Sequence, residues 1–200
     1  MLRIGLTGGI GSGKSTIASI FEVLCIPLYY ADDAAKRLMN SDGEVKSAII
    51  KIFGKDSYNQ NGLNREYLSS VVFNNHEKLA QLNAIVHPAT LKDANNWMNS
   101  QDAPYVVKEA ALIFESGADK GLDFVIGVQA PEELRIKRTI ERGNITEEGV
   151  RVRMKYQLEE SEKMGLCDFI VVNDEHEMII PQVLELHLDF IQKSKVKSQK

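Results

Sequence analysis

Two kinds of apolar pattern alternate along the chain. Short apolar runs with the length of buried strands alternate with stretches in which apolar residues recur every three or four positions, as in helices. Strands separated by helices imply right-handed crossovers and a buried parallel sheet, so we predict an α/β fold with five parallel strands flanked by helices. The predicted strands are residues 2–7, 26–30, 105–107, 124–128 and 169–172.

Helices are predicted from the same spacing and from the residues that start and end them. Pro131 followed by two glutamates is typical of a helix start, and Gly143 is typical of a helix end. The block after the second strand is helical from Asp32, and Pro88 is expected to separate two helices there. The predicted helices are residues 14–24, 77–86, 89–98, 131–143 and 178–191, and the helical block is expected to break at 41–43 and 58–62.

Composition and charge limit the classes of function. The chain has 200 residues, 44% hydrophobic and 26% charged, as in an ordinary globular protein. Its net charge of −4 lacks the basic excess of a general nucleic-acid-binding protein. Its apolar runs are far shorter than the roughly 20 residues of a membrane span. Cys25 and Cys167 form no disulfide framework, which favours a cytoplasmic setting. We expect a protein that binds neither nucleic acid nor membrane, and the sequence indicates no obligate protein partner.

A phosphate-binding motif follows the first predicted strand. Residues 8–15 are Gly-Gly-Ile-Gly-Ser-Gly-Lys-Ser, which matches G-x-x-x-x-G-K-[ST] between a predicted strand and a predicted helix. Glycines let the backbone wrap a polyphosphate with its N–H groups aimed inward, and the following helix adds its positive end. Lys14 supplies a mobile charge for the β- and γ-phosphates, and Ser15 supplies a hydroxyl for Mg²⁺. The motif predicts a P-loop nucleoside triphosphate hydrolase fold and leaves the phosphate acceptor open.

Other residues favour a small-molecule kinase among the P-loop proteins. The chain lacks the D-x-x-G and N-K-x-D strings of a GTPase. A kinase needs a base beside the acceptor hydroxyl. Asp32 follows the second strand, where the carboxyl edge of a parallel sheet binds ligands, and we interpret it as that base. Asp33 is expected to be the N-cap of the next helix.

Arginines for the transferred phosphoryl group cluster on one predicted helix. Arg135, Arg138 and Arg142 share a helix face, and residues 143–146 after them suit a hinge before a further helix with Arg151 and Arg153. We interpret the group as a lid that closes over phosphates and excludes water, with Arg142 foremost. The alternative is a solvated stripe of charge.

Together these features resemble the dephospho-coenzyme A kinase family. The resemblance implies transfer of the γ-phosphoryl group of ATP, with Mg²⁺, to the 3′-hydroxyl of the dephospho-CoA ribose, which gives coenzyme A and ADP. It also implies a helical insert for the acceptor and places Asn173 in the adenine pocket. The matching strings lie at residues 6–15, at Ala31-Asp32, at 86–88, at 112–115, at 130–134 with Arg138, at Arg142 with 145–146, and at Arg153 with Gln157.

The resemblance, added to the motifs, gives three sets of site residues. The catalytic set is Asp32, Lys14 and Arg142. The ATP-binding set is Gly9, Ile10, Gly11, Ser12, Gly13, Lys14, Ser15, Thr16, Arg138 and Asn173. The substrate-binding set is Asp32, Lys36, His87, Glu109, Leu112, Phe114 and Glu115.

Some of these assignments keep an alternative. Glu109 stands where the family often has an aspartate, so Mg²⁺ is expected on Ser15 with Asp32 or Glu109. His87 binds substrate or is a helix-terminus histidine satisfied by backbone. Lys36 binds the substrate diphosphate or belongs, with Arg37, to an exposed basic pair.

We expect one P-loop kinase domain in three parts. These parts are a core of residues 1–35, 104–137 and 157–200, a helical CoA-binding insert at 36–103 and a lid at 138–156. Two other functions stay open at this point. One is a kinase acting on another nucleoside or nucleotide, and the other is a nucleotide-gated binding module without transfer chemistry.

Overall fold

The computed structural model describes residues 1–72, 75–143 and 145–197. Its strands are β1 (Leu2–Thr7), β2 (Leu28–Tyr30), β3 (Tyr58–Asn59), β4 (Gly62–Leu63), β5 (Tyr105–Glu109), β6 (Phe124–Gln129) and β7 (Phe169–Val172). Within the described residues, five parallel strands form one sheet in the order β2-β5-β1-β6-β7, which confirms the predicted α/β architecture. β3 and β4 form a separate antiparallel pair.

The helices divide between two compact units. They are α1 (Lys14–Val23), α2 (Ala31–Ser41), α3 (Gly43–Phe53), α4 (Arg65–Val72), α5 (His76–Asn99), α6 (Glu132–Arg142), α7 (Glu147–Met154), α8 (Glu160–Gly165) and α9 (Ile179–Lys197). One unit comprises residues 1–30 and 98–200 and carries the five-stranded sheet; the other comprises residues 31–97 and is mainly helical. In the described part of the chain, no helix has the length and apolar character that crossing a membrane requires.

An aromatic cluster organises the core of the sheet unit. Phe190 of α9 is fully buried, and its ring centroid lies 5.4 Å from that of Tyr105, 6.0 Å from that of Phe124 and 5.4 Å from that of Phe169. The pairs with Tyr105 and Phe169 are edge-on and the pair with Phe124 is stacked, and rings at these distances pack favourably beyond the area they bury. The other buried side chains of this core are Leu2, Ile4, Leu6, Ile17, Ala18, Phe21, Ile26, Val107, Ile126, Val128, Val171 and Val183.

The helical unit has a smaller core of its own. Val45, Ile49 and Phe53 follow one another at helical spacing along α3 and pack with Leu68 of α4. Asp42 caps α3, since its carboxylate accepts the N–H groups of the second and third residues of the helix. The predicted break at residues 41–43 is therefore a helix boundary with a cap.

The helix boundary predicted at Pro88 is wrong, and the closing helix ends at Lys197 rather than at residue 191. Pro88 was expected to separate two helices, but α5 runs through it as one helix from His76 to Asn99. A proline inside a helix removes one hydrogen bond and costs about 3 kcal/mol. Val86 and Ala94, on either side of the proline, are buried, and burial of the same helix face on both sides outweighs that cost.

Three strand ends also differ from prediction, among them that of β6, which ends at Gln129 rather than at residue 128. β2 begins at Leu28 rather than at residue 26, because Pro27 has no N–H to donate to a strand partner; its carbonyl instead accepts the N–H of Val107. β5 continues two residues further than predicted, to Glu109. The extension pairs Glu109 with Leu6 of β1 and with Tyr30 of β2.

Truncating the centre of the aromatic cluster should cost most of the stability of the sheet unit. We expect Phe190→Ala to lower the free energy of unfolding by about 3–5 kcal/mol, as burial of a large ring is lost and a cavity remains. Leu188→Ala is the matched control, since Leu188 lies on the same helix and is 68% exposed; its effect should stay within about 0.5 kcal/mol. Urea unfolding followed by circular dichroism measures both, and equal effects would contradict the packing account.

Candidate active site

The loop between β1 and α1, residues 8–13, is shaped by its glycines. Gly11 has φ 76° and Gly13 has φ 95°, in the left-handed region that residues with a side chain disfavour. The N–H of Ser12 donates to the carbonyl of Gly9 at 3.1 Å and closes a turn inside the loop. Lys14 begins α1 directly after Gly13. The loop therefore leads into a helix N-terminus, where unsatisfied N–H groups and the helix dipole attract anions.

Neighbouring elements leave no room for a side chain at three glycines of this loop. A Cβ atom at Gly11 would overlap the backbone oxygen of Arg135 in α6, and one at Gly13 would overlap the side-chain nitrogen of Asn173, which follows β7. A Cβ at Gly9 would meet the guanidinium of Arg135. Glycine is thus required at Gly11 and at Gly13 for two reasons each. The backbone has a left-handed φ there, and a neighbouring element approaches too closely for a side chain.

The motif lysine lies over the loop. Lys14 Nζ donates to the carbonyl of Gly8 at 2.9 Å and to that of Gly9 at 3.3 Å. Ser15 and Thr16, in the first turn of α1, are exposed. The structure thus brings the ammonium charge, a helix N-terminus and an exposed hydroxyl together, as the motif predicts for a triphosphate site.

Two side-chain amides hold the loop from outside. Asn173 Nδ2 donates to the carbonyl of Ser12 at 2.8 Å, and Gln157 Oε1 accepts the N–H of Ile10 at 2.9 Å. Arg138 in turn donates to the backbone oxygen of Asn173 at 3.0 Å. Arg138 and Asn173, both predicted to bind ATP, therefore lie together beside the loop, and their contact with ATP stays a prediction.

The three arginines predicted on one face of α6 have different surroundings. Arg135 is buried, with 7% of its side chain exposed, and its Nη1 lies 3.1 Å from Glu160 Oε2 in α8. Arg138 is mostly buried beside Asn173. Arg142, the last residue of α6, is exposed. The stripe is therefore not a uniform solvated face, Arg142 is its exposed member, and the contact of Arg142 with a phosphoryl group stays a prediction.

The predicted lid is tied to the start of α6. Arg151 of α7 donates to Glu132 at 2.7 Å, to Glu133 at 3.4 Å and to Glu147 at 2.9 Å. All four side chains are partly or largely exposed, so each pair contributes little stability by itself. Asn144, in the predicted hinge, lies outside the described residues. Movement of this segment stays a prediction.

The turn segment after β5 is held by a buried ion pair. Lys163 of α8 is fully buried, and its Nζ lies 2.9 Å from Glu115 Oε1 and donates to the carbonyl of Ala111 at 3.0 Å. Glu115 Oε1 also accepts the N–H of Leu158 at 2.9 Å. Glu115 was predicted to bind substrate; the structure shows it connecting this turn to α8 and to the segment after α7. Glu109, at the end of β5, is buried.

A second buried lysine lies under the same turn segment. Lys108 of β5 has its Nζ 3.5 Å from the carbonyl of Ala118, and burial lowers its pKa, against the opposing effect of Asp119. Leu112 and Phe114, predicted to contact substrate, are half-buried in this segment. Their contact with substrate stays a prediction.

The acidic pair after β2 lies in the helical unit. Asp32 and Asp33 are both exposed and occupy the first turn of α2, which begins at Ala31. The prediction that Asp33 caps the helix is wrong, because the helix starts two residues earlier. Asp33 instead accepts from Lys36 at 2.7 Å, one turn along, in an exposed ion pair. The structure therefore shows Lys36 paired with a neighbouring carboxylate.

The remaining candidates in this unit lie on or beside α5. His87 is inside the helix, so the alternative of a helix-terminus histidine is wrong. Burial lowers the pKa of its imidazole, which favours the neutral ring. Arg37 of α2 donates to Asp93 of α5 at 2.6 Å, which links two helices of the unit.

The sequence and the fold both match one enzyme family. A family model described as dephospho-CoA kinase (CoaE) matches residues 2–178. The chain belongs to the dephospho-CoA kinase family. The dephospho-CoA kinase of Salinibacter ruber is 38% identical over 178 residues, 87% of this chain and 89% of its own length. That of Bacteroides fragilis is 32% identical over 186 residues, 92% of this chain and 91% of its own.

Solved structures agree with this membership. A dephospho-CoA kinase from Campylobacter jejuni superposes with a TM-score of 0.62 at 27% identity, covering 98% of this chain and 95% of its own. The Thermus thermophilus protein TT1252 superposes with a TM-score of 0.80 at 30% identity, covering 94% and 96%. A shikimate kinase from Acinetobacter baumannii, 16% identical with a TM-score of 0.55, covers 98% of this chain and 95% of its own and shares the P-loop kinase fold alone.

Several residues that support the loop in this member of the family were not predicted from the sequence. Gln157 was quoted as part of a matching string but given no role, and its partner Ile10 is 147 positions away. The buried pairs Arg135–Glu160 and Glu115–Lys163 join different elements in the same way. No local spacing rule connects residues so far apart. The sequence feature that could have indicated the role of Gln157 is its position directly after the predicted lid, which is rich in arginine.

Gly11 provides a test of how closely the loop is packed. We expect Gly11→Ala to weaken binding of a non-hydrolysable ATP analogue by about ten-fold or more, because a left-handed backbone with a side chain costs roughly 1–2 kcal/mol and the new Cβ overlaps Arg135. Gly43→Ala is the control, since nothing lies within 4 Å of a Cβ there. Calorimetric titration compares the two, and unchanged affinity in Gly11→Ala would contradict the packing described.

Proposed function

We propose that the chain transfers the γ-phosphoryl group of ATP to the 3′-hydroxyl of the dephospho-CoA ribose, giving coenzyme A and ADP. The observation that carries the proposal is the family match over residues 2–178. The shape and charge of the loop at residues 8–15 give it a physical basis. Both cysteines are free thiols, which supports a reducing compartment such as the cytoplasm.

The loop binds the triphosphate of ATP in this proposal. Backbone N–H groups of the loop and of the start of α1 bind the phosphates, and Lys14 leaves the carbonyls of Gly8 and Gly9 for the β- and γ-phosphate oxygens. Charge-assisted bonds to phosphate are about twice as strong as neutral ones, so this exchange is favourable. Arg138 and Asn173, already beside the loop, lie on the side where we place the nucleoside.

The donors near the loop fit a magnesium ion. Mg²⁺ prefers hard oxygen ligands and keeps several waters, and the exposed Ser15 hydroxyl at the start of α1 is such an oxygen. The carboxylate of Glu109 or Asp32 is the further ligand we propose. The ion, when bound, neutralises charge on the β- and γ-phosphate oxygens.

Asp32 is the base in this proposal. It accepts the proton of the ribose 3′-hydroxyl as the hydroxyl oxygen approaches the γ-phosphorus. Its carboxylate is exposed in the first turn of a helix, close in sequence to the carboxyl end of β2, where ligands of parallel sheets bind. The other proposed substrate contacts are Lys36, His87, Glu109, Leu112, Phe114 and Glu115.

The proposed division of labour follows the chain. A core of residues 1–35, 104–137 and 157–200 holds ATP, an insert at 36–103 holds the acceptor, and a lid at 138–156 covers the phosphates. Arg142 supplies positive charge to the oxygens of the phosphoryl group while it is being transferred. Phosphoryl transfer asks a protein mainly for positioning and charge, and these residues provide both.

A screen of acceptors tests the proposal as a whole. The purified chain is incubated with ATP, Mg²⁺ and one of dephospho-CoA, adenosine, AMP, other nucleosides or shikimate, and products are identified by mass spectrometry. We expect fast phosphorylation of dephospho-CoA at the 3′-position and slow reaction with the rest. Faster phosphorylation of a nucleoside or nucleotide, or ATP consumption without a phosphorylated product, would overturn the proposal.

The role of Asp32 is tested against its neighbour. Asp32→Asn should keep ATP affinity within about two-fold but lower kcat by about 10²–10⁴, the usual contribution of general base catalysis. Asp33→Asn removes an equal charge from the next position, whose carboxylate is paired with Lys36, and should leave kcat nearly unchanged. Steady-state kinetics decide between them; near-normal turnover by Asp32→Asn excludes that residue as the base.

The role of Arg142 is tested against another cation of the same helix. Arg142→Ala should lower kcat by about 10³ or more with a small change in KM for ATP, because the charge it supplies acts mainly on the transition state. Lys137→Ala removes an exposed cation of α6 and should have little effect. Equal losses in the two variants would indicate a general electrostatic effect and contradict the specific role.

A further inference from the structure

Glu175 has a backbone conformation that a residue with a side chain disfavours. Among the residues that the structure describes, Glu175 with φ 70° and Cys25 with φ 58° are the two with a side chain in the left-handed region. A left-handed backbone strains a residue that carries a Cβ atom, whereas glycine adopts it freely. Such strain persists only where surrounding contacts hold it, and it is concentrated at functional positions. The surroundings of Glu175 therefore have to explain why a glutamate stands where a glycine would fit better.

A tight turn after β7 holds Glu175 in this conformation. Asp174 Oδ1 accepts the backbone N–H groups of His176 and of Glu177, each at 2.9 Å. On the other side, the N–H of Asn173 donates to a carbonyl at the end of β6 at 2.8 Å. The backbone is thus fixed before and after Glu175 by bonds that do not involve the Glu175 side chain.

The Glu175 side chain accepts a hydrogen bond from Arg138 of α6. Arg138 Nη2 lies 3.2 Å from Glu175 Oε1, and Arg138 also donates to the carbonyl of Asn173 at 3.0 Å and to Asn173 Oδ1 at 3.4 Å. The side chain of Glu175 is 59% exposed and that of Arg138 is 15% exposed. A pair with so exposed a partner contributes little stability, so stability does not account for the strained glutamate. The carboxylate adds a third bond to the guanidinium, and this bond helps to fix the orientation of the guanidinium plane.

The guanidinium held in this way lies beside the phosphate-binding loop. Asn173, which accepts from Arg138, donates through Nδ2 to the carbonyl of Ser12 in the loop at 2.8 Å. The N–H groups of a guanidinium lie in its plane, so its hydrogen bonds leave the two faces to stack on a flat ring. The negative charge of Glu175 offsets that of Arg138, which makes Arg138 a weaker partner for phosphate. These contacts suit a guanidinium that binds a nucleobase.

We propose that Glu175 is a positioning residue that orients Arg138 for the nucleobase of ATP. Its carboxylate holds the guanidinium plane and offsets the guanidinium charge, so Arg138 contributes to binding of the base rather than of the triphosphate. The inference rests on the proposed placement of the nucleoside beside Arg138 and Asn173. It does not depend on which acceptor is phosphorylated.

A comparison of a nucleotide with a bare triphosphate tests this role. Calorimetric titration of the full chain measures the affinity for a non-hydrolysable ATP analogue and for inorganic tripolyphosphate, each with Mg²⁺. Glu175→Gly should bind the analogue about five-fold or more weakly than the wild type, because Arg138 loses the bond that orients it toward the base. The same variant should bind tripolyphosphate at least as tightly as the wild type, because tripolyphosphate has no base and the offsetting negative charge is gone.

The conservative variant separates orientation of Arg138 from support of the loop. Glu175→Gln keeps an acceptor oxygen for Arg138, so its affinity for the analogue should stay within about two-fold of that of the wild type. Unchanged analogue affinity in Glu175→Gly would overturn the proposal. Equal weakening toward the analogue and tripolyphosphate would assign Glu175 to support of the loop and would overturn it too, as would a Glu175→Gln variant as weak as Glu175→Gly.

Cys25→Gly is the matched control, because Cys25 has the same kind of strained backbone, between α1 and β2. Glycine relieves the strain at either position, so both glycine variants should melt about 1–4 °C higher than the wild type. Only Glu175→Gly should lose affinity for the analogue, and an equal loss in Cys25→Gly would contradict the role of the carboxylate. Because these titrations involve no acceptor, a wild type that binds the analogue but fails to phosphorylate dephospho-CoA would count against the proposed function and leave the affinities as the test of Glu175.

Discussion

Function in the sheet unit depends on the shape of the glycine-rich loop at residues 8–13, which follows the carboxyl end of the central strand β1. β1 lies between β5 and β6, and the loop leaves it directly toward α1. The left-handed backbone at Gly11 and Gly13 is tolerable without side chains, and α6 and Asn173 approach so closely that none would fit. The free energy needed to hold this shape comes from the packing around it, because the loop buries no apolar side chain of its own that would fix it.

Polar side chains complete that support. Gln157 and Asn173 hold the loop from outside, and the buried pairs Arg135–Glu160 and Glu115–Lys163 fix the elements that carry or flank them. A buried ion pair is costly to desolvate, and losing one partner leaves an uncompensated charge. These pairs are therefore better understood as positioning devices than as sources of stability. They connect α6, α8 and the segment after α7 around the loop at residues 8–13.

Several strands and helices were predicted from the sequence because they depend on neighbouring residues. Contacts between residues far apart in the sequence were not predicted. The strands β1 and β7 were predicted to the residue, because a residue that disfavours strands follows each apolar run directly, Gly8 after β1 and Asn173 after β7. The boundary predicted at Pro88 is wrong, because burial on both sides of the proline overrides its local tendency to end a helix. Asp33 was misplaced because both acids suit a helix start, and only the backbone decides where α2 begins. The partnership of Ile10 with Gln157 spans 147 positions, and no spacing rule reaches that far.

The site is predicted unevenly for the same reason. The motif fixed residues 8–15 by itself, whereas Asp32, His87 and Arg142 entered through a chemical argument or a family resemblance, and their contacts with substrate stay predictions. The most direct test of the central claim is a crystal structure of the chain with a non-hydrolysable ATP analogue and dephospho-CoA. The account predicts phosphate oxygens on the N–H groups of the loop and the ribose 3′-oxygen within hydrogen-bond distance of the Asp32 carboxylate. An acceptor bound with its 3′-oxygen far from Asp32, or phosphates bound away from Lys14, would contradict it.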